Sequence, residues 1–218
     1  MRWPKALVAA LLAVPLLASP AQAAPPSVLN HVGSATKVLI ITSKTWTSTT
    51  ASATLWQKRG STWSASRSNM YARVGRNGFK TDRREGDGTT PAGKFPIRYA
   101  FGGQASPGTA LRYQSIVPRS CWSGERADYN HWVRRTCTVR DEDLYRMRTS
   151  VYRYAAVVGF NDSPAVWGKG SAIFVHQTIG KATSGCIALT GPDIVATVRW
   201  LAPGAVVVMG PESYVASL

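Results

Sequence analysis

Acidic residues are scarce: the 218-residue chain holds 11 Asp and Glu against 26 Lys and Arg, a formal charge of +15. A glycosidase works with two positioned carboxylates, and no such pair stands out among so few. Histidine is scarcer still, with three residues isolated from one another. The paired ligand spacing of a zinc site is therefore missing, and neither a metal nor another cofactor is expected. After the N-terminal segment no run is long and apolar enough to span a bilayer. Internal repeats, low-complexity tracts and interdomain linkers are also absent, which leaves a single domain with a sizeable core.

The N-terminal segment reads as a secretory signal, residues 1–23. Arg2 and Lys5 precede an apolar run from Ala6 to Ala18, and Ala21-Gln22-Ala23 puts small residues where a signal peptidase cuts. A membrane anchor is the rival reading, but the run is shorter than the roughly 20 residues a span needs and Pro15 interrupts it. No cysteine near the cut offers a lipid attachment. The mature protein is expected to be soluble, monomeric and outside the cytoplasm, in the cell wall or periplasm. Losing Arg2 and Lys5 lowers its charge by only two. Its basic residues are dispersed rather than gathered in a recognition helix or stripe, which argues against nucleic acid and favours an anionic wall polymer as counterpart.

Three cysteines in an oxidising compartment suggest one disulfide and one thiol. Cys121 and Cys137 flank the polar segment SGERADYNHWVRRT. A bridge there restricts the unfolded chain by roughly 3 kcal/mol. Cys186 sits apart, between Gly185 and Ile187. A different pairing, or an inert buried thiol at Cys186, remains open.

Residues 24–36 form a lead-in without periodicity, and the folded domain, 37–218, opens on KVLIITS as a strand. Ala53–Val74 has short alternating runs around Arg59-Gly60, the pattern of antiparallel strands with one solvated face. Gly86, Gly88 and Gly93 surround Pro91 and imply turns with unusual backbone angles before a strand at Phe95. This is no phosphate loop: the spacing is wrong, and strand-like residues rather than a helix follow. Short helices are expected at Asp141–Arg148 and at Pro192–Leu201, where Ile194, Val195, Val198 and Leu201 share a face. YAAVVGF, SAIFV and AVVVM read as central strands, so the fold is mainly β.

The chemistry concentrates in SAIFVHQTIGKATSGCIAL. A strand over Ser171–Val175 with His176 at its exit, and a Thr183-Ser184-Gly185 turn leading into Cys186, bring an imidazole towards a thiol. A thiol's ordinary pKa is near 8.5, so attack on an amide at neutral pH needs such a base. Cys186 is the candidate nucleophile and His176 its base, with the backbone N–H groups of Ser184, Gly185 and Cys186 as an oxyanion hole. Ser184 as nucleophile ranks lower, because the strand-turn-helix of a hydrolase elbow is missing. His31 lies in the lead-in and His131 between Cys121 and Cys137, and neither is assigned a role.

These stretches, together with TTPAGKF (89–95), ADYNHWV (127–133) and YAAVVGFN (154–161), resemble the L,D-transpeptidases of the YkuD type over roughly Lys37 to Gly210. The resemblance implies a β-sandwich of mixed sheets with one or two packed helices. It implies an enzyme whose cysteine attacks a peptidoglycan stem peptide, releases D-alanine, and passes the thioester to an amine or to water. Cross-linking and an L,D-carboxypeptidase or other hydrolase on the same stems are the functions it leaves, while the positive charge and eight tryptophans also suit a non-catalytic basic wall-binding module on the same scaffold. The common pattern reads Ser-His-Gly-Cys, then Ile or Val and an arginine; here Thr183-Ser184-Gly185-Cys186-Ile187-Ala188 lacks the second histidine and the arginine. The chain thus resembles a divergent branch with a differently shaped pocket.

Overall fold

The interior is organised by strands whose alternate side chains enter different cores. The computed structural model describes residues 26–218; the expected signal and its cleavage point after Ala23 lie outside the described residues. In chain order the strands are β1 (Lys37–Ser43), β2 (Thr50–Arg59), β3 (Thr62–Arg73), β4 (Phe79–Lys80), β5 (Thr90–Pro91), β6 (Gly93–Gly102) and β7 (Tyr113–Ser115). There follow β8 (Ser120–Trp122), β9 (Trp132–Arg134), β10 (Glu142–Asp143), β11 (Ala155–Val158), β12 (Phe174–Gln177), β13 (Ile187–Leu189) and β14 (Val206–Pro211). Two α-helices, α1 (Gly191–Trp200) and α2 (Glu212–Ala216), complete the set.

The main sheet runs β11-β12-β13-β3-β2-β1-β14-β6-β7, and a further β11–β6 pairing closes it on itself. It is mixed: β1 with β14, β12 with β13 and β6 with β7 are parallel, and the other pairs are antiparallel. The mainly β expectation with one or two packed helices is met. The hairpin β2–β3 turns through Gly60 (φ +58°) and Ser61, where the Arg-Gly signal placed it.

Alternation along each strand divides the apolar residues. Leu39 and Ile41 of β1, Val175 of β12, and Ile187 and Leu189 of β13 meet Ile194, Val198 and Leu201 in the principal core. Helix α1 forms where its period demands. Thr190 caps it by accepting from Asp193 N–H, and Pro192 occupies its first turn, where no N–H is missed. The opposite face of β1, Val38 and Ile40, is covered by Val28 and Leu29 of a 3₁₀ turn, Ser27–His31, and by Val215 of α2. The opposite face of β11 and β12 is covered by the segment after β7, through Trp122, Leu144 and Tyr152.

Two local expectations are corrected. Asp141–Arg148 is not a helix: Glu142 and Asp143 pair with Trp122 and Cys121 of β8, and the Asp141 and Asp143 carboxylates cap nearby turns by accepting backbone N–H groups of Gly124, Thr138 and Arg146. Tertiary pairing overrides a weak helical pattern. The strand expected at Ser171 begins at Phe174 instead, because Gly170 (φ +108°) and Ala172 (φ +53°) cannot lie in a β ladder. His176 is therefore inside the strand, not at its exit.

Candidate active site

Strands β12 and β13 run side by side in parallel, with Val175 opposite Ile187 and His176 opposite Ala188. Val175 and Ile187 point into the principal core, so the alternate positions point the other way. That set is Phe174 and His176 on one strand and Cys186 and Ala188 at the start of the other. His176 and Cys186 thus share one face of adjacent strands, and both line a cleft of about 320 Å³.

Cys186 is a free thiol, half-buried, with its sulfur held by the entry to β12. Sγ donates to Ala172 O at 3.1 Å and accepts from Phe174 N–H at 3.4 Å. The resting thiol proton is therefore directed to a carbonyl rather than to His176. Burial pushes the thiol pKa up to about 12, with the Phe174 N–H acting in the opposite direction. His176 is 7% exposed, and its Nδ1 lies 2.8 Å from Gln177 O. A carbonyl only accepts, so Nδ1 carries the proton and Nε2 keeps a lone pair. Burial lowers the imidazole pKa to about 4, against the raising effect of the Gln177 carbonyl. The resting pair is neutral thiol and neutral imidazole.

Over this face lies a pair of residues with no signal in the sequence. Tyr152 sets its ring against His176, and its hydroxyl donates to Glu142 Oε1 at 2.8 Å. Burial raises the Glu142 pKa while the tyrosine hydroxyl pulls it down. Two residues of the ADYNHWV stretch tie this cover to the start of β12. Asn130 Oδ1 accepts from Trp122 Nε1 (2.8 Å) and from Ala172 N–H (3.0 Å). The Tyr129 hydroxyl accepts from Gly170 N–H at 3.0 Å and donates to Glu85. The strained Gly170–Ala172 backbone that holds the sulfur is thereby fixed from outside the strand.

The Gly-rich connection lies behind the Thr183–Gly185 turn that leads into Cys186. Gly86 and Gly88 have positive φ, as their composition suggested. Thr90 Oγ1 accepts from Gly75 N–H, and Thr89 O stands so near Gly185 that a Cβ there would be 2.9 Å away. Gly185 (φ +150°) is required by its backbone angle and by this contact. Its N–H is donated to Thr183 Oγ1 at 3.1 Å. Ser184 is exposed and takes a hydrogen bond from Arg76 Nη1 at 3.2 Å.

Cys121 and Cys137 form a disulfide, so the pairing expected from the sequence holds and Cys186 is the cysteine left free. His31 sits in the 3₁₀ turn, and His131 turns Nδ1 to Tyr129 O (2.8 Å); neither lines the cleft.

No curated protein matches the sequence. Among solved structures, L,D-transpeptidase 1 of Mycobacterium tuberculosis is 16% identical over 79% of this chain and 62% of that one, with a TM-score of 0.35. The helical cell shape determining protein Pgp2 of Campylobacter jejuni is 13% identical over 84% of this chain and 54% of that one, with a TM-score of 0.41. The chain thus spans less than two thirds of either structure. The sequence profile of YkuD, the L,D-transpeptidase catalytic domain, matches residues 44–209, from the end of β1 to β14 and through the whole cleft. The chain belongs to the YkuD family of L,D-transpeptidase catalytic domains.

Proposed function

We propose that this chain is a secreted peptidoglycan L,D-transpeptidase that forms a thioester between Cys186 and a donor stem peptide and transfers it to an amine acceptor, cross-linking the cell wall. The observation that carries the reading is the shared face of Cys186 and His176, with the free thiol in a cleft and the other two cysteines bridged. The strongly positive charge, +15 over the full chain and two less without Arg2 and Lys5, suits an anionic wall as partner. No helix among the described residues is long and apolar enough to cross a membrane.

A thiol pKa of about 12 beside an imidazole pKa of about 4 makes a standing thiolate–imidazolium pair too costly. Proton transfer therefore accompanies attack. The thiol turns from Ala172 O, gives its proton to Nε2 of His176, and Sγ bonds to the carbonyl carbon of the donor's third residue. The Gln177 carbonyl holds Nδ1–H and steadies the imidazolium. The N–H groups of Cys186 and Ser184 receive the oxyanion; that of Gly185 joins if Thr183 releases it. Collapse breaks the C–N bond, and the departing D-alanine amine takes the proton from His176. The acceptor amine then attacks the thioester with His176 again as base, and the proton returns to sulfur as the S–C bond breaks.

Water in place of the amine makes the same acyl-enzyme a carboxypeptidase. D-Alanine release from a tetrapeptide stem, followed with and without an added amine acceptor, separates the outcomes. A cross-linked product that grows with acceptor concentration is expected; release unaffected by acceptor, with free tripeptide as sole product, would assign hydrolysis. Wall pelleting with no turnover of any stem would leave only the binding-module reading.

A further inference from the structure

Arg83 takes no part in the steps above, yet it is the most anomalous charge in the domain. It lies in the connection between β4 and β5 and is 4% exposed. Its Nε and Nη1 have no hydrogen-bond partner, and Nη2 reaches only Arg84 O at 3.5 Å. The nearby carboxylate, Asp87, is 3.8 Å from Nε, and its oxygens already accept from Arg84 N–H, Thr89 N–H and the Thr89 hydroxyl. A buried guanidinium with open donors is expensive to keep, and a ligand bearing acceptor oxygens relieves that cost.

The side chain is also held beside the nucleophile. A Cβ at Gly185 would stand 3.2 Å from Nη1, and one at Gly170 would stand 3.0 Å from Cζ, so two glycines make the room it fills. Phe160 faces the guanidinium at 5.7 Å, and Arg83 lines the same cleft as Cys186 and His176. The other cations of that cleft, Arg140 and Lys181, are exposed and stay hydrated.

We propose that Arg83 is a specificity residue that binds the free terminal carboxylate of the donor peptide. This rests on the acyl-transfer reading above. In a donor whose last residue is the leaving group, the carboxylate carbon is three bonds from the carbonyl carbon under attack, within about 4 Å. A guanidinium packed against the residue preceding the nucleophile meets that reach, and its planar fork matches a carboxylate. The enzyme should therefore select stems that end at the leaving residue and reject those that are amidated or extended there.

The test follows acylation of Cys186 by mass spectrometry with two tetrapeptide stems that differ only in ending as a carboxylate or a carboxamide, in wild type, Arg83→Gln and Arg83→Lys. Wild type should acylate from the acid roughly ten- to a hundredfold faster than from the amide. Arg83→Gln should lower the acid's rate at least tenfold more than the amide's, so that the acid-to-amide ratio falls to about one, and Arg83→Lys should keep part of the preference. Equal rates for the two donors in wild type, a comparison that needs no variant to fold, would overturn the assignment and leave the acyl-transfer reading standing. A loss in Arg83→Gln that falls equally on both donors would also overturn it. No adduct from either donor would overturn the acyl-transfer reading itself.

Discussion

The ring of Tyr152 meets the imidazole of His176 edge to face, with centroids 5.6 Å apart and planes at 81°. The tyrosine is fully enclosed among Phe101, Phe174 and Leu144, and its hydroxyl is spent on Glu142. In the proposed mechanism it is a positioning residue, acting through the imidazole it packs against. Tyr152→Phe keeps the ring and should leave the acylation rate within about a factor of ten, at a stability cost of about 1–3 kcal/mol for the orphaned Glu142 acceptor. Tyr152→Ala removes the support and should cost roughly 3 kcal/mol or more in stability, with loss of acylation. Urea melts beside single-turnover acylation check both.

The buried His176 imidazole also sets a pH window. The folded state lowers the His176 pKa from 6.5 to about 4, so the unfolded chain binds a proton between those values and the folded one does not. The stability gained by keeping the imidazole neutral is whole above pH 6.5 and is lost as pH falls towards 4, on the order of 3 kcal/mol. Burial raises Cys186 from 9.0 to about 12, so its contribution is whole below pH 9 and is lost as pH rises towards 12. Unfolding free energy measured from pH 4 to pH 7 should show the acid-side slope in wild type and a shallower one in His176→Gln. Parallel slopes would mean that the imidazole is not held neutral.

Much of the scaffold could be read from local pattern, whereas the surroundings of Cys186 could not. The strand at Lys37–Ser43, the β2–β3 hairpin and helix α1 follow from runs, a turn dipeptide and a 3.6-residue period that their own residues carry. Asp141–Arg148 misled because its acidic side chains serve turns and its backbone serves β8, facts that reside in another part of the chain. Nothing local separates Arg83 from Arg84, one buried against Gly185 and the other in solvent; only the return of β13 to the Gly-rich connection makes the difference. Glu142 and Tyr152 carry no motif, and their relation to His176 exists only once the segment after β7 has folded over β12. Arg83 reaches the turn at Gly185 from the connection between β4 and β5, a neighbourhood no local pattern announces.

The disulfide anchors that covering segment. Cys121 lies in β8 beside Trp122, which pairs with Glu142 of β10, and its partner Cys137 follows 16 residues later. Removing the bridge through Cys121→Ala with Cys137→Ala should lower stability by about 3 kcal/mol, seen as a lower Tm. At temperatures where the variant stays folded, acylation should persist, because the proposed nucleophile is the free Cys186. A variant that folds fully and yet forms no adduct would place Cys121 or Cys137 in the chemistry.

The most direct measurement is the intact mass of the mature protein after mixing with a tetrapeptide stem, followed by identification of the modified peptide. The account predicts an increment equal to the donor stem less D-alanine, carried on the peptide that contains Cys186, and no increment and no D-alanine release in Cys186→Ala. D-Alanine released by Cys186→Ala as fast as by wild type would contradict it.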